Sequence, residues 1–187
     1  MGLNPGLRVL IYKSQLDYDN DLFVEQIKES GVDSSRNKTN VRALMTKWAM
    51  TEYSNVRDLA IDIVVNHLPN LSAPPVDGGT VNWVVDSIWG NVFSKGDHAI
   101  PHHHMPGIYS FVYYVKMPKG SSQLKFNELR GQIILEEGDV IIFPAHLLHS
   151  VPQHPIEEER VTIAGNIATA WAIEGNYVYE SKDIGKH

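Results

Sequence analysis

Pro101-His102-His103-His104 and, about forty residues later, Phe143-Pro144-Ala145-His146-Leu147-Leu148-His149 are the stretches from which the rest of the chain is read. Seven of the nine histidines fall between His98 and His154, in a chain without cysteine. Neutral imidazole is the commonest metal ligand near physiological pH, so this clustering points to a metal or catalytic site. On a strand, His102 and His104 share one face and His103 points the other way, because side chains alternate with period 2. A later histidine at the head of another strand, His149, completes a facial set of three.

Working outward, the second half of the chain is a series of short β-branched and aromatic runs: Val81 to Phe93, Tyr109 to Met117, Gly131 to Leu135, Val140 to Phe143, Val161 to Ala168 and Ala170 to Tyr179. Turn formers separate them, at Lys95-Gly96-Asp97, Pro118-Lys119-Gly120, Glu137-Gly138-Asp139, Pro152 and Pro155. Many short strands joined by tight turns predict an antiparallel barrel or sandwich. The first half reads differently. Residues 7–12 are apolar and β-prone, and a helix is expected from Asp19 or Asp21 to Ser30. Ser34 to Asn40 reads as a loop, Val41 to Met50 is helical or irregular, and Val56 to His67 is a buried helix opening after Ser54. Pro69 to Gly79 is a plain break. The expected organisation is one structural domain: residues 1–80 a helical extension, packing on a β core over 81–187.

Composition narrows the function. At 187 residues, 43% hydrophobic and 20% charged, the chain is long and apolar enough for a real core. A net charge of −6 argues against nonspecific nucleic-acid binding as the main task. Without cysteine, only His, Asp and Glu remain as metal ligands. No signal peptide is visible, and no apolar run approaches the ~20 residues of a membrane span, so a cytoplasmic protein is expected. Homo-oligomerisation stays open. Arg36, Lys38, Arg42 and Lys47 form a modest basic cluster, better read as solvated surface than as an acidic partner's site.

Gly96 stands six residues before His102 and Gly138 six before Pro144, a spacing that resembles the two glycine-histidine motifs of cupin-type double-stranded β-helices. The glutamate that cupins place shortly after His-x-His is missing, since Ile108 and Tyr109 stand there. Asp97 is the nearest spare carboxylate, and it suits the turn at Gly96-Asp97 better than the metal. Eleven residues after His149, Arg160-Val161-Thr162-Ile163-Ala164-Gly165-Asn166 puts Arg160, Thr162 and Asn166 on one strand face. A guanidinium beside a hydroxyl suits a bidentate carboxylate. A surface ion pair with Glu157-Glu158-Glu159 is the competing reading of Arg160.

Taken together, Trp89 to Asp97, Pro101 to His104, Ser110 to Val115, Phe143 to Val151 and Arg160 to Asn166 resemble the 2-oxoglutarate-Fe(II) oxygenases of bacteria and tailed phages. The resemblance spans roughly residues 83–170, and Thr39 to Thr46 resembles the N-terminal part of phage members. It implies a double-stranded β-helix (jelly-roll) core and a non-haem Fe(II), 2-oxoglutarate-dependent dioxygenase that hydroxylates a C–H bond. It further implies His102 and His149 as metal ligands and Arg160, with Thr162, as the anchor of the cosubstrate's distal carboxylate. Asn91 matches the Asn of a pocket-lining Asn-x-Tyr-x-x-Gly element, from which Phe93 departs, and Asn166 joins the cosubstrate residues. Position 104, usually Asp or Glu, is His104 here. A cytoplasmic location would be that of a bacterial host if the protein is phage-encoded. Two alternatives stand beside this: a cupin-like three-histidine enzyme without 2-oxoglutarate, and a metal-binding or structural module without turnover. The substrate, small molecule or protein, is not encoded in a recognisable motif; the loops over 94–108 and 118–130, together with the N-terminal segment, are expected to select it.

Overall fold

The computed structural model describes residues 11–33, 39–68, 80–129, 131–173 and 176–177. Twelve strands and two α-helices are formed among them. The strands are β1 (Tyr12–Gln15), β2 (Val32–Asp33), β3 (Val41–Arg42), β4 (Leu44–Met45), β5 (Thr80–Phe93) and β6 (His98–His102). They continue as β7 (Tyr109–Lys116), β8 (Lys125–Phe126), β9 (Asp139–Pro144), β10 (His149–Val151), β11 (Arg160–Ile173) and β12 (Asn176–Tyr177). The helices are α1 (Asn20–Ser30) and α2 (Ser54–Asp62), the latter running on as a single π-helical stretch over Ile63–His67.

Two sheets face each other. The larger runs β1-β9-β7-β11-β5-β4-β2, with β12 on β11, and the smaller runs β3-β6-β10-β8. Every ladder is antiparallel. This is the antiparallel architecture the turn spacing predicts, and the double-stranded β-helix the family resemblance implies.

Both faces of the large sheet are covered, which is why β7 and β9 read as nearly unbroken apolar runs rather than alternating ones. On β7, Phe111, Tyr113 and Val115 pack with Phe23, Ile27, Val56, Leu59 and Ile63 of the helices. The intervening Val112 and Tyr114 turn into the space between the sheets, with Phe93, Phe126, Phe143 and Leu147. Phe23 and Ile27 are fully buried, and each contributes about 2 kcal/mol of apolar transfer. Helix α1 begins where expected because the Asp19 carboxylate accepts from the Leu22 amide, 3.2 Å away.

Several local expectations give way to tertiary pairing. Val41 to Met50 is not helical: Val41–Arg42 joins β6, Leu44–Met45 joins β5, and a 3-10 turn follows over Met50–Glu52. Gly131 to Leu135 is not a strand. The Gln123 side chain bonds both backbone groups of Leu135, at 3.1 Å each, and takes the place of a ladder. Val161 to Ala168 and the run after it are one strand, bent by a register shift at Asn166/Ile167. Residues 1–80, read as a helical extension, supply strands to both sheets as well as the two helices. The β-prone stretch over 7–10, most of the 34–40 loop with Arg36 and Lys38, the break over 69–79, Arg130 in the 118–130 loop and the end of the 170–179 run lie outside the described residues.

Two glycines are required by backbone geometry. Gly96 (φ +92°) and Gly138 (φ +82°) sit in left-handed conformations at the turns leading into β6 and β9. In the first turn Asp97 accepts from the Ser94 amide at 2.8 Å, so its carboxylate caps the turn as expected. Among the described residues, no helix is long and apolar enough to cross a membrane.

Candidate metal centre and cosubstrate cavity

The two histidine motifs meet across one ladder. His102 ends β6 and His149 opens β10, and the two are register partners. His104 follows two residues beyond β6, held by its amide to the Ala145 carbonyl at 2.8 Å. One ring nitrogen from each of His102, His104 and His149 lies within 4.8 Å of the other two. The ring centroids are 4.4 to 5.0 Å apart. His103 is exposed and its Nδ1 accepts from the Met105 amide, as alternation predicts.

The surroundings select the ligand form of each imidazole. His102 Nδ1 is 2.7 Å from the Ile100 carbonyl, and His149 Nδ1 is 2.9 Å from the Leu147 carbonyl. A carbonyl only accepts, so each Nδ1 carries the proton and each Nε2 keeps its lone pair. Burial then holds all three rings neutral. It pushes His104 down to about 3, with repulsion from His149 and His102 adding to it, and His149 down to about 4. His102 is lowered by the same cause. Three neutral nitrogen donors converging at this spacing fit a divalent first-row metal.

Behind the histidines, between the sheets, lies a narrow cavity of about 50 Å³, lined by Asn91, Phe93, Tyr114's neighbour Val112, Leu124, Arg160 and Thr162 as well as the three histidines. The pairing register assembles its floor. Thr162 on β11 has Asn91 on one side and Tyr114 on the other, and Arg160 faces Phe93. The guanidinium is 4.7 Å from the Phe93 ring centroid and 5.2 Å from that of Tyr114. Arg160 is only 1% exposed, yet its Nε and one Nη have no partner. The Tyr114 hydroxyl and Asn91 Oδ1 are equally buried and unpartnered. Burial lowers the Arg160 pKa, and neighbouring Tyr114 opposes that shift.

A buried, unpaired guanidinium costs several kcal/mol, on the order of a lost buried ion pair, so this group is positioned for an anion. The surface ion pair with Glu157-Glu158-Glu159 is not formed; Glu157 and Glu159 bind Lys95 and Lys28 instead. Asn91 lies 3.5 Å from Thr162 Oγ1. Asn166 is on the same strand but further along. It bonds Ser110 (2.9 Å) and Ser87 (3.0 Å) and lines the outer mouth rather than the inner cavity. Asp97 is tied into its turn, outside the histidine group. His98 and His146 also stand apart from it, and His154 is buried with Nε2 donating to the Glu158 carbonyl at 2.7 Å. Sequence reading overlooked Tyr114. Its only signal was parity with Val112, and which parity faces the cavity depends on the register with β11.

Residues 87–137, about a quarter of the chain, match the family model described as "Putative 2OG-Fe(II) oxygenase". No curated protein sequence matches the chain. Among solved structures, the chain resembles the epimerase SnoN in complex with Fe3+, alpha ketoglutarate and nogalamycin RO (TM-score 0.62, 12% identity), covering 87% of this chain and 80% of that one. It also resembles HygX of Streptomyces hygroscopicus with nickel, 2-oxoglutarate and hygromycin B (0.57, 14%, covering 86% and 82%). A third similar structure is the viral collagen prolyl hydroxylase vCPH of Paramecium Bursaria Chlorella virus-1 with 2OG (0.55, 14%, covering 83% and 95%). At these identities the likeness is one of fold. The sequence match runs from within β5 to beyond β8, and the double-stranded β-helix around it is the fold of these solved oxygenases.

Proposed function

We propose that the protein is a non-haem Fe(II), 2-oxoglutarate-dependent dioxygenase, with His102, His104 and His149 as the metal ligands. The observation that carries this reading is Arg160, a buried cation with two unpartnered nitrogens and no acidic partner among the described residues, in a cavity that three converging imidazoles also line. A dicarboxylate that reaches from a metal to a guanidinium fits that layout.

Fe(II) with 2-oxoglutarate supplies O₂-driven oxidation of a substrate C–H bond, coupled to decarboxylation of the cosubstrate to succinate. The chain's own contribution is positioning. The Ile100 and Leu147 carbonyls fix the tautomers of His102 and His149 and aim their Nε2 atoms. Arg160 takes the far carboxylate of the cosubstrate, Thr162 and Tyr114 offer hydroxyls to it, and Asn91 lines the passage between. Phe93, Leu124 and Val151 wall the cavity and keep water from the carboxylate-guanidinium pair, which strengthens it. Asn166 braces the mouth through Ser87 and Ser110 rather than touching the cosubstrate.

Anaerobic titration with Fe(II) and 2-oxoglutarate tests this. A weak visible charge-transfer band of the chelate is expected in the wild type, and Arg160→Ala should lower cosubstrate affinity by about tenfold or more. Tight Fe(II) binding without the band would move the assignment to a three-histidine metal enzyme that does not use 2-oxoglutarate, a reading favoured by the absence of a carboxylate at position 104.

A further inference from the structure

Outside the metal centre a second, wider cavity of about 400 Å³ opens, sharing Val41, Trp89, His102 and His104 with the inner one. A neighbouring hollow continues from it, and Trp48, Asp86 and Asn166 line both. Asp86 owes its place to a β-bulge. Asn166 pairs with Ser87 and Ile167 with Val85, so Asp86 is the extra residue on β5, left without a partner on β11. Bulges of this kind re-aim a side chain, and they recur beside active sites. Here the bulge leaves a carboxylate on the wall of the mouth.

That carboxylate is unmatched. No hydrogen bond or ion pair reaches it among the described residues; its side chain is exposed at the mouth, and partial desolvation there raises its pKa. Histidines aside, it is the one charged side chain among the described residues lining either cavity; no lysine or arginine does so. Facing the same space is Trp48, 50% exposed despite being a large aromatic. The Trp48 carbonyl accepts from the Ile88 amide at 3.0 Å, which pins this residue beside the bulge. Its ring lies 4.7 Å from that of Trp89, and Trp89 is 5.7 Å from His104. The aromatic pair therefore runs from the mouth to the metal centre.

We propose that this mouth is the substrate site and that it takes a cationic substrate, whose ammonium or guanidinium group is held by the Asp86 carboxylate and the face of Trp48. An indole face and a lone carboxylate both attract cations, and no lysine or arginine lines the cavity among the described residues. The remainder of the substrate then extends along Trp89 toward His102, His104 and His149. The proposal rests on the oxygenase reading for what happens to that remainder, but the cation site itself does not.

Calorimetry on the full chain, with probes differing in one charge, tests it. An N-acetyl-lysine amide is compared with its norleucine isostere, and n-butylammonium with n-butanol, each with and without Fe(II) and 2-oxoglutarate under anaerobic conditions. The charged member of a pair is expected to bind about fivefold or more tightly. A preference for the peptide-like pair alone would make the cation peptide-borne, and a preference for both would make it a free amine's as well. Asp86→Asn should abolish the preference, Asp86→Glu should restore part of it, and both should keep the charge-transfer band. Equal binding of charged and neutral probes, no binding of either, or a preference that survives Asp86→Asn would overturn the cation site. Loss of the band in the wild type with the preference intact would instead overturn the oxygenase reading and leave the cation site standing.

Discussion

His104 shows how much one residue decides. A carboxylate in its place would leave a bound Fe(II) with one net positive charge, whereas three imidazoles leave two, which alters the metal's affinity and redox tuning. The other two imidazoles, His102 and His149, are anchored through Nδ1 to backbone carbonyls, whereas no such bond holds the His104 ring among the described residues. His104 should therefore be the most replaceable of the three in kind, though not in number. Metal titration by calorimetry is expected to show His104→Asp retaining a site within about tenfold of wild type, while His104→Ala loses about a hundredfold. Wild-type affinity in His104→Ala would remove this residue from the site. The three histidines and Arg160 could be picked out as candidates in the sequence, from period-2 alternation and from the family resemblance. Tyr114, beside Arg160, and Asp86, at the mouth, could not, because their placement depends on strand register and on one extra residue in β5.

At the scale of elements, the site depends on how closely β11 lies against its neighbours. Gly165 sits between Phe111 on β7 and Ile88 on β5. A Cβ there would meet the Phe111 ring at 2.5 Å and the Ser87 carbonyl at 2.8 Å. The backbone oxygen cannot move without disturbing the ladder that also carries Arg160 and Thr162. Gly165→Ala should destabilise the fold by about 1–3 kcal/mol, seen as a lower midpoint in urea, and should weaken 2-oxoglutarate binding more than metal binding. An unchanged midpoint would mean the strands part without cost. The strand and helix runs were read correctly where hydrophobic pattern and turn residues agreed, as in α1, β5, β7 and β9. Val41 to Met50 stayed open between helical and irregular and Gly131 to Leu135 was misread as a strand, because a neighbouring strand or the Gln123 amide supplies the backbone's hydrogen bonds there.

For the molecule as a whole, residues before β5 do more than cover the barrel. β1 pairs with β9 through Tyr12 to Gln15, β3 pairs with β6 next to the metal motif, and β4 pairs with β5. Lys13 also forms a 2.7 Å ion pair with Asp139, which is 2% exposed. Deleting residues 1–17 would leave β9 as a bare edge and Asp139 without its lysine. The expected result is aggregation in gel filtration or a loss of cooperative thermal unfolding; a monomeric, normally melting product would show that β1 is dispensable. What the sequence determined by itself was an antiparallel β architecture, through the turn spacing of its second half, and which histidines and which arginine were candidates for the site. Those are local properties, set by periodicity and residue chemistry. Only the tertiary structure decided that the three imidazoles share one point, that Arg160 is unpaired, and that a bulge exposes Asp86 at the mouth. Each of these depends on distances between strands far apart in the chain, and it is the register of their ladders that sets those distances.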